Sequence, residues 1–65
     1  MTKREINRLN KQVEAIVRRR CTGMAIDIMD ISQVFDAAEK AYTEGRDVEA
    51  AVVDTYTLLS QGDTP

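Results

Sequence analysis

The amino-acid sequence predicts an all-α fold in which three helices pack into one small domain. Apolar residues recur at three- and four-residue intervals along most of the chain. Each such stretch ends at one of the three glycines, Gly23, Gly45 and Gly62, and the single proline, Pro65, interrupts none of them. A glycine just past a helix satisfies loose carbonyl groups by adopting a left-handed conformation. We therefore expect one helical domain over residues 1–62 and a loose tail over residues 63–65.

The first helix is predicted to begin at a capping box and to carry one apolar and one basic face. Thr2 and Glu5 have the spacing at which each side chain satisfies the amide of the other residue. The apolar residues that follow at helical spacing are Ile6, Leu9, Val13, Ile16 and Val17. The candidate basic face comprises Arg4, Arg8, Lys11, Arg18 and Arg19. Arg20 lies near the apolar arc, so either the helix has ended there or its guanidinium reaches a rim or the carboxylate of a partner.

The second helix has a clear end and an ambiguous beginning. Its apolar residues alternate steps of four and three, which is a heptad seam: Met24, Ile28, Ile31, Phe35, Ala38 and Tyr42. This seam favours a helix from about Met24 to Glu44, and we adopt it. A second interpretation starts the helix at Asp30, with Gln33 completing a capping box, and leaves residues 24–29 as an extended linker. A third makes helices 1 and 2 one rod, because glycine at position 23 costs only about 1 kcal/mol.

The third helix is short, with Asp47 as its N-cap and Glu49 in its first turn. One face is apolar: Val48, Ala51, Val52, Thr55 and Leu59. Because the link 45–47 is tight, helices 2 and 3 should form an antiparallel hairpin. The segment 38–59 resembles one helix-turn-helix unit of tetratricopeptide repeats through Ala41-Tyr42, Gly45 and Glu49-Ala50. That resemblance covers about a third of the chain and does not repeat, so it implies a tight hairpin and no function.

The apolar faces of the three helices should meet in one core that a monomer cannot bury completely. A domain of this size buries only about 60% of its unfolded surface, and its core rarely supplies more than about 3–5 kcal/mol. A single cysteine and no histidine leave neither an intrachain disulfide nor a zinc site to stabilise it. We therefore expect a dimer or a chain docked on a partner. The candidate interface or core residues are Ile28, Ile31, Phe35, Tyr42, Val52 and Leu59.

Charge is distributed unevenly between the two parts of the chain. Residues 1–20 hold seven cations and two acids, a net charge of +5, whereas residues 21–65 hold two cations and nine acids, a net charge of −7. The basic stripe could track phosphates, and the acidic half could occupy a basic groove of a nucleic-acid enzyme. The candidate acidic docking face comprises Asp27, Asp30, Asp36, Glu39, Glu44 and Asp47. Simple solubility would explain the same charges.

Residues that could support catalysis are few. The chain has no histidine to serve as a base or ligand and no glycine-rich phosphate loop. Cys21 lies on the apolar seam, which favours a small buried residue over a reactive thiol. The pairs Asp27/Asp30 and Asp36/Glu39 are neighbours on a helix, but a solvated acidic face explains them better than a cation site. We expect a non-enzyme that uses no cofactor.

These patterns together favour a non-catalytic protein-binding module, that is, an adaptor, an accessory subunit or an inhibitor of a larger protein. The alternative is a small nucleic-acid-binding regulator that uses Arg4, Arg8, Lys11 and Arg18, and the third interpretation is a redox or catalytic role for Cys21. No apolar run approaches the roughly 20 residues that cross a bilayer, and the N-terminus lacks a secretory stretch. With one free thiol, a cytoplasmic location without membrane contact is expected.

Overall fold

A computed structural model describes residues 2–61 and places them in three α-helices and one short 3-10 turn. The helices are α1 (Lys3–Arg20), α2 (Ile31–Thr43) and α3 (Val48–Gln61), and the turn Ile28–Asp30 directly precedes α2. No strand occurs between residues 2 and 61. The prediction of an all-α, three-helix fold is confirmed. The predicted loose tail over residues 63–65 lies outside the described residues.

Helix α1 begins as its sequence predicts. The amide of Glu5 donates to Thr2 Oγ1 at 3.2 Å, and the Thr2 hydroxyl donates to Glu5 Oε1 at 3.2 Å. At the other end, the amide of Cys21 donates to the carbonyl of Val17 at 2.9 Å and closes the last turn. Gly23 follows with φ at +87°, a conformation that side chains disfavour. The chain therefore leaves the helical path just after Cys21.

The sequence interpretation that we adopted for helix 2 is wrong, because residues 24–27 are not helical. The positive φ of Gly23 likewise excludes a single rod through helices 1 and 2. Asp27 then starts the 3-10 turn, since its Oδ1 accepts from the amide of Met29 at 3.0 Å. Helix α2 begins at Ile31, next to the Asp30 start of the second interpretation. Gln33 Nε2 does reach Asp30 Oδ1 at 3.3 Å, but the Asp30 side chain caps no backbone amide.

Helices α2 and α3 form the predicted hairpin through a Schellman turn. The amide of Arg46 donates to the carbonyl of Ala41 at 2.8 Å, and the amide of Gly45 donates to the carbonyl of Tyr42 at 3.3 Å. Gly45 supplies the left-handed residue, with φ at +73°. Asp47 then caps α3, because its Oδ1 accepts from the amide of Glu49 at 3.0 Å. The link 45–47 is thus hydrogen-bonded both to the end of α2 and to the first turn of α3.

The core lies where α3 packs against both other helices, which contact each other less extensively. Its buried residues are Leu9, Val13, Ile16, Cys21, Val34, Ala38, Ala41, Val48, Val52 and Tyr56. On α2 the buried residues are Val34, Ala38 and Ala41, of which only Ala38 belongs to the predicted seam. The larger seam residues Ile31 and Phe35 lie at the edge of the core.

Of the six candidate interface or core residues, four lie in or against the core, and an interface role for any of them stays a prediction. Val52 is fully buried, and Ile31, Phe35 and Leu59 are partly buried against the core. Placing Ile28 and Tyr42 in the core is wrong, because they are 82% and 44% exposed. Ile28 precedes α2 in the 3-10 turn, and Tyr42 lies on the edge of α2 because the core faces the small alanines instead.

Candidate functional site

An apolar groove lies between α1 and α2 and is the candidate functional site. Val13 and Val17 line it from α1, Ile31 and Phe35 line it from α2, and Glu14 and Arg18 complete its lining. The groove exists because α1 and α2 each pack more closely on α3 than on one another. Its volume of about 280 Å³ is at the lower end of the range for ligand pockets. An open groove of this kind suits protruding apolar side chains of a protein.

The 3-10 turn, which directly precedes the α2 residues of the groove, carries two further exposed apolar side chains. Ile28 and Met29 are 82% and 78% exposed, and Ile28 lies three residues before Ile31 of the groove lining. The turn has a defined backbone conformation, because Asp27 accepts from the amide of Met29 at 3.0 Å and its carbonyl accepts from the amide of Asp30 at 2.8 Å. Two adjacent large apolar side chains are therefore presented to solvent on a hydrogen-bonded turn. Such a patch next to a groove is typical of an interaction surface.

Tyr42, further along the α2 seam, contacts α1. Its hydroxyl donates to Glu5 Oε2 at 3.2 Å. The pKa of the Glu5 carboxyl is lowered, first by its hydrogen bonds from Thr2 and then by the one from Tyr42. The seam residues Ile31, Phe35 and Tyr42 thus follow one edge of α2 and remain partly accessible along it. The heptad pattern is real, but it marks a partly open edge rather than the centre of the core.

The exposed side of α1 carries most of the unpaired positive charge. Arg4, Arg8 and Lys11 line a shallow depression together with Asn7. Among residues 2–61, neither these three cations nor Arg18 forms an ion pair. Glu14, one turn before Arg18, forms no ion pair with it within that range either.

Arg19 and Arg20 have a different environment from the rest of the predicted basic face. Arg19 Nη2 lies 2.8 Å from Glu49 Oε1, and Arg20 Nη1 lies 2.6 Å from Glu49 Oε2. The carboxylate that Arg20 reaches therefore belongs to α3 of the same chain. These two arginines connect α1 to α3, and their charges are partly neutralised there.

The six residues of the predicted acidic face differ in their interactions. Asp27 and Asp47 cap helical turns through their side chains, Asp30 accepts from Gln33, and Glu44 pairs with the neighbouring Arg46 at 2.8 Å. The remaining two, Asp36 and Glu39, are exposed on α2. Within the described part of the chain, these two carboxylates make no ion pair. They are the acidic residues most available to a partner.

Cys21 is a buried residue, as its position on the seam predicts, with 3% of its surface exposed. Burial raises the pKa of its thiol, and the nearby positive charge of Arg20 opposes this only in part. A raised pKa reduces the thiolate fraction and therefore the nucleophilicity. Over the described range 2–61, no three side chains of metal-ligating type lie together.

Sequence reasoning did not select Met29, Val13 or Val17 as parts of the site. A usable signal was the Ile28-Met29 pair with an aspartate on each side, which is typical of a capped turn. None of the three helices is long and apolar enough to cross a membrane, as judged over residues 2–61. No family model matches the chain, and neither a curated protein nor a solved structure matches it.

Proposed function

We propose that this chain is a non-catalytic protein-binding module whose docking surface is the α1–α2 groove with the 3-10 turn beside it. The observation that supports the proposal most directly is the exposure of Ile28 and Met29, at 82% and 78%. Burying one large aliphatic side chain contributes about 1.5–3 kcal/mol. Two adjacent ones, together with a partly open apolar groove, supply the centre of an interface.

The shape of the surface favours a helical partner. The groove follows two helices, and its α2 side is lined by the half-buried Ile31 and Phe35, which are four residues apart. Tyr42, which is more exposed, lies seven residues further along the same edge of α2. An amphipathic helix laid in such a groove places its own apolar residues at similar intervals. An adaptor, an accessory subunit or an inhibitor would use the surface in this way.

Photo-crosslinking tests the proposal in cells that produce the chain. A photoreactive amino acid in place of Met29 should yield a discrete crosslinked product of higher mass. The matched control carries the same group in place of Leu58, which is 69% exposed on α3 and does not line the groove. Adding Phe35→Asp to the Met29 probe should remove the product. Equal crosslinking from both positions, or none from Met29, would contradict the proposed docking surface.

A second candidate function, nucleic-acid binding, is supported by the grouping of Arg4, Arg8 and Lys11 in one depression without internal ion pairs. Neutralising phosphates with such cations gives binding that weakens steeply with salt. Titration into labelled duplex and single-stranded nucleic acids at low and near-physiological salt measures this. Binding should disappear in the triple variant Arg4→Gln/Arg8→Gln/Lys11→Gln.

The control for this titration removes cations outside the depression. The double variant Lys40→Gln/Arg46→Gln should bind as the unmodified chain does if the depression is the site. No binding at low salt, or equal loss in both variants, would exclude the depression as a specific phosphate-binding surface.

A further inference from the structure

We propose that a second copy of this chain occupies the groove, so that the module forms a two-fold symmetric dimer through α1, α2 and the 3-10 turn. This inference rests on the proposed function, since it names the partner at the same docking surface. It follows from the charges on the two sides of the groove, which complement each other.

The exposed face of α1 beyond the groove, called here the α1 wall, is basic: Arg18 lines the groove, whereas Arg4 and Lys11 line the separate depression described above. Arg4, Lys11 and Arg18 are spaced seven residues apart, so they follow one line along α1. Arg18 itself lines the groove beside Val17, and one acid, Glu14, lies between the cations. The three cations are exposed. This wall therefore carries three cations against one acid, a net positive charge, and forms no ion pair within residues 2–61.

The exposed face of α2 beyond the groove, called here the α2 wall, is acidic, whereas the groove lining on α2 itself is apolar. Outside the seam, the next line along α2 is polar: Ser32, Asp36, Glu39 and Thr43. All four are exposed, and the line contains two carboxylates and no cation. Like the α1 wall, it forms no ion pair with any described residue. Each chain therefore carries both of the charges that an interface with its own copy requires.

Symmetry decides how two such surfaces meet. In a two-fold interface each subunit uses the same patch, so every contact occurs twice. A two-fold axis along the groove places the basic wall of each copy against the acidic wall of the other. An axis across the groove would place like walls together, which costs several kcal/mol in well-formed interfaces. The first arrangement also brings the exposed Ile28 and Met29 of both copies toward the shared apolar surface.

Dimerisation would also stabilise a chain whose own core is small. The chain has 65 residues, no metal-ligating cluster within residues 2–61 and one thiol that is buried and free. Domains of this size are commonly stabilised by association when disulfides and metals do not help. An unrelated partner would need walls of matching charge, whereas the second copy has them already.

Sedimentation equilibrium of the purified chain over a wide concentration range tests the inference. The unmodified chain should approach twice its 7.3 kDa mass as the concentration rises. The double variant Ile28→Asp/Met29→Asp should dimerise at least about tenfold more weakly. Leu58→Asp, the matched control on α3, should dimerise as the unmodified chain does. Circular dichroism confirms that each variant is folded, which is expected because all three positions are exposed.

Charge reversal tests the walls separately. A chain carrying Lys11→Glu/Arg18→Glu has two acidic walls, and a chain carrying Asp36→Lys/Glu39→Lys has two basic walls. Each should be monomeric alone, and an equimolar mixture should form a heterodimer. Dimerisation of either variant alone, or failure of the mixture to associate, would overturn the proposed arrangement.

The outcomes separate this inference from the proposed function. A monomeric chain that crosslinks through Met29 to a different protein would overturn the second copy as occupant and leave the docking surface intact. A dimer that persists in every groove variant would place association elsewhere and overturn this inference. A monomer that gives no crosslink from Met29 would overturn both proposals.

Discussion

Arg20 and Glu49 join the end of α1 to the beginning of α3, with Nη1 of the arginine 2.6 Å from Oε2 of the glutamate. Arg19 binds the other carboxylate oxygen at 2.8 Å. One acid thus holds two consecutive cations of the last α1 turn, where positive charge also complements the helix dipole. The carboxylate lies in the first turn of α3, where negative charge is favourable for the same reason.

Glu49→Gln should lower the free energy of unfolding by about 1 kcal/mol at low salt, because exposed ion pairs contribute roughly 0.2–1 kcal/mol each. All three side chains are at least a third exposed, so salt should reduce the effect. Urea unfolding at two salt concentrations measures both. Glu39→Gln is the matched control, because Glu39 makes no ion pair within residues 2–61. An equal loss in the two variants would show that the paired arginines are not responsible.

Gly45→Ala should destabilise the hairpin by about 1–2 kcal/mol, which is the cost of the left-handed conformation for a residue with a side chain. A Cβ atom at this position would meet nothing within 4 Å, so the backbone alone determines the cost. Gly45→Asn should cost less, because asparagine adopts this conformation more readily. Thermal or urea unfolding ranks the glycine, asparagine and alanine chains by stability. Equal stability of the alanine and glycine chains would contradict the assigned turn.

Val52→Ala should cost about 2 kcal/mol, because it removes buried methyl groups and leaves a cavity. Val52 has no exposed surface, whereas Leu58 on the same helix is 69% exposed. Leu58→Ala, although it removes more atoms, should therefore change the free energy of unfolding by no more than about 0.5 kcal/mol. Chemical denaturation of both variants compares them. A larger loss at Leu58 would mean that α3 is rotated from the described packing.

The Glu5 carboxylate should make stability depend on pH in the acid range. Its pKa is lowered in the folded state from the ordinary value of 4.5, so it contributes stability above that value and loses it as the pH falls through the folded-state value. Glu5→Gln should therefore be less stable than the unmodified chain at neutral pH and converge with it in strong acid. Unfolding curves of both chains, measured across this pH range, show whether the stability difference disappears toward low pH. Tyr42→Phe should show part of the same difference, because it removes one of the hydrogen bonds.

Cys21 should react slowly with an alkylating reagent in the native chain and rapidly after unfolding, because it is 3% exposed and its thiol pKa is raised. Mass spectrometry of timed samples gives the rates. A chain carrying Cys21→Ala/Ala15→Cys, with the thiol at an exposed position on α1, should react at similar rates in both states. Rapid native alkylation of Cys21 would revive the reactive-thiol interpretation.

The helix beginnings that depend on local chemistry could be predicted from the sequence. Thr2 with Glu5, Gly45 and Asp47 all act through bonds to residues a few positions away, so their spacing is informative. Two opposing signals in the sequence bear on where α2 begins. The heptad spacing from Met24 to Ile31 favours a continued helix, whereas Gly23 and the Asp27 cap favour a break. Nothing in the spacing itself shows which of them prevails.

The location of the site was harder to predict than the fold, because it depends on how α2 is rotated. The buried face of that helix consists of Val34, Ala38 and Ala41, and only Ala38 of these belongs to the predicted seam. The larger seam residues, Phe35 among them, are left at the edge of the core. Ion pairs across 29 and 30 residues, such as those of Glu49, likewise follow from tertiary packing and leave no mark in the local sequence.

The central position of α3 has a consequence for how the protein is made. The carbonyl of Met24 accepts from the Tyr56 hydroxyl at 3.4 Å, so even the linker between α1 and α2 depends on α3. Of the three helices, α3 is the last to be synthesised. The core therefore cannot be completed until α3 has been synthesised. Until then the apolar faces of α1 and α2 lack their main packing surface and are accessible to chaperones and proteases.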